Sequence, residues 1–278
     1  MEAEAMSSEQ SPVSEEASSE DLSQRSRLNA AWGVMGMYVL SVVGGLVLWQ
    51  VAASFTSPLF LPSVSATWQS ALELIQDGTL QSSILASAGR IAAGWFLGVI
   101  VGVPLGIFVG RFVVVQRLLE PYIEFFRFIP PIAFVTLAVI WMGAGELSKV
   151  ALIFYCTIFV VTVNTIAGVQ SVSPLRLRAA ASLGAGPFRT LTSVILPSTV
   201  PHMVTGARVA MGNSFLTVVS AEIVAADNGL GSLIWTARNF SRTEWVFVGI
   251  IALGLLGFLF DRILRILTAR LLKPYLRH

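Results

Sequence analysis

Apolar residues in this sequence gather into long runs punctuated by charged ones. A helix needs about 20 residues to cross the roughly 30 Å hydrocarbon core of a bilayer, and six runs are of that order. They are residues 31–53, 91–110, 128–145, the stretch between Lys149 and Arg176, 197–224 and 245–267. The last two carry internal charges, and the fifth is the weakest on hydropathy. The pattern predicts an all-α integral membrane protein with six transmembrane helices. Within the second run Gly94, Gly98, Gly102, Gly106 and Gly110 recur every fourth residue, which on a helix makes a bare stripe for another helix to approach. Pro104 lies in the same run and removes one backbone donor, so a kink is expected there.

Charge then sets the orientation. With Arg25 and Arg27 holding the N-terminus inside, twelve basic residues fall on the cytoplasmic side: Arg25, Arg27, Arg111, Arg117, Arg176, Arg178, Arg189, Arg262, Arg265, Arg270, Lys273 and Arg277. Only Lys149, Arg238 and Arg242 fall outside, so the positive-inside rule puts both termini in the cytoplasm. Composition agrees: 55% of the 278 residues are apolar and 12% charged, against about a quarter charged in soluble domains. Seven of the 16 acids lie in residues 1–24, which contain no Lys or Arg and are rich in Ser and Glu; that segment is expected to be a disordered cytoplasmic tail. It lacks the basic start and apolar stretch of a signal peptide. The basic excess of residues 25–278 is read as topology, with no nucleic acid as partner. The single cysteine, Cys156, excludes an internal disulfide and is expected to pack, and no His/Cys set has metal-ligand spacing.

Between the fourth and fifth runs lies a stretch too polar to be a simple connection. Ser173 is placed to cap, Pro174 suits a first helical position, Ala and Leu fill the middle, and Gly184 to Pro187 stop the helix. A helix of about ten residues results. It is too short to span and carries Arg176 and Arg178, so it should lie along the cytoplasmic face. Residues 188–194 form a second short segment leading to Ile195-Leu196-Pro197, where the fifth span should begin.

Here the sequence resembles a known family. Ala179-Ala180, Gly184 and Ile195-Leu196-Pro197 are similar in spacing to the EAA loop of ATP-binding-cassette (ABC) importer permeases. Three further stretches look like its nitrate/sulfonate/taurine/bicarbonate branch, and most like the taurine members: residues 57–62 (SPLFLP), 127–131 (RFIPP) and 141–149 (WMGAGELSK). The resemblance implies a type I, MetI-like permease fold with residues 25–278 as one transmembrane domain, a coupling-helix loop at about 173–197, and a place in a bacterial inner membrane. It implies a homodimer, two cytoplasmic ATPase subunits and a periplasmic solute-binding protein. ATPase coupling would fall to Arg178, Ala179, Ala180, Ser182, Leu183, Gly184, Ala185 and Pro187. One departure stands out: Arg178 occupies the place of the glutamate that names the loop.

The chain has no GxxxxGK[ST] phosphate loop, so ATP and Mg belong on the partner and this chain binds no cofactor and is not an enzyme. Candidate pathway residues are Asn213, Ser214, Thr217 and Glu222 on the fifth span, with Arg127 just before the third and Pro130 within it. Asn213, Ser214 and Thr217 either line a path or hydrogen-bond between helices; Arg208 and Glu222 are expected to pair with other groups of the chain, and Arg127 either adds positive potential at an inner gate or snorkels to the interface. His202 is expected to hydrogen-bond near the inner interface, and residues 229–240 to form a short outer helix. An ion-coupled carrier would need an internal repeat and acidic coupling sites, neither of which is apparent, and an intramembrane enzyme finds no Ser/His or metal constellation.

Overall fold

The computed structural model describes residues 36–225 and 227–271. The acidic tail, Arg25, Arg27, Lys273 and Arg277 lie outside them. The described residues are helical, with no strand among them. Contacts divide the chain into two compact units, residues 1–64 and residues 65–278.

In the first unit, α1 spans Gly36–Ser54. The chain after it folds back on α1: Trp49 Nε1 donates to the Pro62 carbonyl at 3.0 Å and the Val64 amide to Gln50 Oε1 at 3.0 Å.

The second unit contains α2 (Val64–Gln76), α3 (Thr79–Arg111), α4 (Val113–Arg127), a 3-10 turn (Pro131–Phe134), α5 (Val135–Met142) and α6 (Glu146–Gln170). After these come α7 (Pro174–Ser182), α8 (Pro187–Thr190), α9 (Leu196–Ala225), α10 (Leu230–Asn239) and α11 (Thr243–Leu271). Among the described residues four helices, α1, α3, α6 and α11, are long and apolar enough to cross a membrane, and the count is up to six if each of the bent pairs α4–α5 and α8/α9–α10 is one span.

The glycine stripe determines the core. A Cβ on Gly94, Gly98 or Gly106 would sit 2.5 Å from the Cβ of Ile153, Thr157 or Thr165, so α3 and α6 meet nearly backbone to backbone along their length. Packing takes the place of a water-driven hydrophobic effect in lipid. α9 completes the trio; Gly206 and Gly168 receive Asn164 and His202 across the α6–α9 contact. At one end Leu74, Leu80, Leu230, Leu233, Val248 and Leu256 form a separate apolar cluster.

One expected span is corrected. Residues 128–145 are not one helix: the axes of α4 and of the Pro131–Met142 segment meet at 87°. Pro130 and Pro131 remove two donors and push the preceding residue from helical torsions, and Gly143 at φ 80° ends α5. A single span here would draw on α4, whose internal Arg117, Glu120 and Glu124 exclude it from the charge-free runs. The fifth expected span, 197–224, corresponds to α9 (Leu196–Ala225). A π-helical turn over Leu191–Ile195, closed by the Leu196 amide on the Leu191 carbonyl, joins α8 to α9 without a break. Pro197 has no N–H to donate to the preceding turn, and the wider turn accommodates that loss.

Candidate functional site

Three constellations carry chemistry. The first is an ionic cluster where α3, α6 and α9 converge with the turn before α10. Arg90 on α3 is 2% exposed. Its Nε and Nη2 donate to the two carboxylate oxygens of Glu146, each at 2.6 Å, while Nη1 donates to Glu222 Oε1 at 2.7 Å and to the Asn228 carbonyl at 2.8 Å. Glu222 is fully buried; it accepts from Ser87 Oγ at 2.8 Å and from the Gly231 amide at 2.8 Å. Ser87 Oγ in turn accepts from the Leu230 amide at 2.9 Å, and buried Lys149 reaches Glu146 at 3.3 Å. A buried carboxylate is tolerable only when paired and bonded in this way. The turn is shaped to it: Gly229 has φ 118°, and a Cβ there would lie 2.4 Å from Glu222 Cδ.

The second is a cavity of ≈400 Å³ at the break between α4 and α5. Arg127, Phe128 and Pro130 line one side, Tyr155 and Asn164 of α6 and Asn213 and Thr217 of α9 the others. Tyr155 Oη donates to the Phe126 carbonyl at 2.6 Å and so holds the end of α4 against α6.

The third is the short helix α7. Its C-terminus closes with two reversed bonds, Gly184 N–H to the Ala181 carbonyl at 2.9 Å and Ala185 N–H to the Ala180 carbonyl at 3.0 Å, with Gly184 at φ 73°. This is the Schellman arrangement, which favours glycine at that position. Ser173 precedes the helix but makes no side-chain cap bond. Ala180 is buried and Ala185 half-buried; Arg178, Ala179, Ser182, Leu183 and Pro187 are exposed, Leu183 by 87%. Beside α7 runs a groove of ≈800 Å³ lined by Arg176, Leu183, Arg189, Ser193 and Ser198.

Of the residues singled out for a pathway, Arg127, Pro130, Asn213 and Thr217 meet in the cavity. Ser214 points elsewhere: it is fully buried, bonded to the Ala210 carbonyl at 2.8 Å and 3.2 Å from Thr157 Oγ1. Glu222 belongs to the ionic cluster. Arg208 pairs with Asp261 at 3.0 Å, and His202 Nε2 lies 3.4 Å from Ser171 Oγ. Arg90 was read only as the edge of a span. The signal was present: Arg90 lies four residues before Gly94, in register with the stripe that faces α6.

Residues 102–273 match the family of binding-protein-dependent transport system inner membrane components. The chain is 38% identical over 255 residues to the taurine transport system permease protein TauC of Escherichia coli, covering 88% of this chain and 93% of that one. It is 33% identical over 230 residues to the putative aliphatic sulfonates transport permease protein SsuC of Bacillus subtilis, covering 82% and 83%. Inward-facing structures of the MetNI methionine ABC transporter share the fold: TM-score 0.57 at 17% identity, with 69% of this chain and 98% of that chain covered. The helical fold and these matches agree, and the chain belongs to the binding-protein-dependent transport system inner membrane components, as a multi-pass ABC importer permease of the type I fold.

Proposed function

We propose that two copies of this chain form the membrane core of an importer for taurine or another small sulfonate, with both termini in the cytoplasm. A periplasmic solute-binding protein delivers the substrate. Two ATPase subunits, which hold ATP and Mg, dock on α7, and hydrolysis alternates access to a path lined by Arg127, Pro130, Asn213 and Thr217. The observation that carries this reading is α7 itself: a short exposed helix, closed by Gly184, beside a groove and joined through α8 to the long α9. Such a piece offers Leu183 and Arg178 to a partner and has a rigid link for passing its displacement inward. The sulfonate assignment is supported by the TauC and SsuC relatives.

Gly184→Val tests it. Valine at φ 73° is strained, so the end of α7 shifts while the membrane core does not. The expected outcome is an inserted, dimeric protein that co-purifies less ATPase subunit, or shows weaker substrate-stimulated ATP hydrolysis. Normal ATPase binding and wild-type transport by the variant would remove the coupling role from α7.

A further inference from the structure

The cavity at the α4–α5 break combines features suited to one class of ligand. Its walls include Phe128, Phe159 and Leu216, and Arg127 is the charged side chain among the described lining residues. Glu124 Oε2 takes Nε and Nη2 of Arg127 at 2.9 and 2.6 Å, and the guanidinium lies over the Phe128 ring at 4.6 Å. Nη1 makes no hydrogen bond among the described residues, and neither does the side-chain amide of Asn213. Asn164 donates to the Val160 carbonyl of its own helix at 2.8 Å. A free guanidinium edge, an uncommitted amide and aromatic walls suit an oxyanion on a short organic tail, and ≈400 Å³ lies within the range of small-molecule sites.

We propose that this cavity is a transit site for a small oxyanion-bearing solute, with Arg127 selecting for the anionic group and Glu124 neutralising the guanidinium when no solute is present. The proposal rests on the permease reading and deepens it by naming the group recognised. Arg127 and Glu124 are 37% and 44% exposed, and ion pairs so exposed are weak. An arriving oxyanion therefore takes up Nη1 and competes for the other edge without breaking a strong contact. A site that must also release its solute needs that weakness.

The sequence supplies its own reporter, because Cys156, the single cysteine, lines the same cavity. The full-length permease–ATPase complex in phosphatidylcholine nanodiscs is treated with two methanethiosulfonates of similar length, one ending in ethylsulfonate and one in ethyltrimethylammonium. The ratio of their rates, divided by the ratio on free cysteine, reads the potential in the cavity; any change in thiolate fraction affects both reagents alike and cancels. The expected ratio favours the sulfonate reagent and falls about tenfold in Arg127→Gln, with taurine and isethionate slowing modification and ethyl methyl sulfone not doing so. A ratio unmoved by Arg127→Gln, equal protection by the neutral sulfone, or a cysteine inert to both reagents would each overturn the proposal. Phosphatidylglycerol is expected to lower the ratio equally in wild type and Arg127→Gln through its surface potential; loss of the difference between the two on its addition would reassign Arg127 to a lipid headgroup and also overturn the proposal. The readout needs no transport, so the coupling role of α7 stands or falls separately, on the Gly184→Val result.

Discussion

The Arg90 cluster and the α7 face use arginine in opposite ways. Arg90 is 2% exposed and spends its guanidinium on Glu146, Glu222 and Asn228. Arg176, Arg178 and Arg189 are exposed and form no ion pair among the described residues, and no Asp or Glu occurs between positions 171 and 221. Arg176 reaches only Ser198 Oγ, at 3.3 Å. One set of charges is consumed in holding helices together; the other is left over by the fold and is available to another surface. Burial with complete pairing marks an internal joint, and exposure without pairing leaves the α7 arginines free for the docking proposed above.

The sharpest way to break this contrast is from the buried side. Arg90→Ala leaves Glu222 buried without its cation, a loss on the order of 3–5 kcal/mol; expression and the thermal midpoint in detergent should both fall, and an unchanged midpoint would show that Glu222 is not held by this pair. Gly229→Ala attacks the same cluster through the backbone. The added Cβ meets Glu222 Cδ at 2.4 Å and the torsion is strained, so a destabilisation of roughly 1–3 kcal/mol is expected in the same melt. At the other pole, Arg178→Glu should change the melt by less than about 0.5 kcal/mol, because the side chain is exposed and unpaired. Its effect should appear as reduced ATPase co-purification that depends on salt. A melt shift as large as that of Arg90→Ala would erase the distinction between joint and docking face.

Much of this was legible in the chain, and the exceptions share a cause. Run length and the flanking arginines gave the spans, the four-residue glycine period gave the α3–α6 contact, and Pro174 and Gly184 bounded α7 to within a residue or so. The Pro130-Pro131 break was read as the start of a span because charge-free length was the criterion, and α4 fails that criterion while still forming half of a bent span. Asn213 and Ser214 were grouped by composition, yet neighbours on a helix point about 100° apart, and only Asn213 reaches the cavity. Arg90 and Glu222 are 132 positions apart, and a pairing at that separation is set by helix packing rather than by local pattern.

The unbroken helix from Pro187 to Ala225 has a geometric consequence. At 1.5 Å per residue it is roughly 58 Å long, about twice the hydrocarbon thickness. One end carries Arg189 beside the groove and the other carries Glu222 in the ionic joint. The π-helical turn at Leu191–Ile195 sits close to the groove end, so nearly the whole lever arm lies beyond it. Because Ser87 and Arg90 bond Glu222 at the far end, one continuous helix ties the groove beside α7 to the ionic joint on α3.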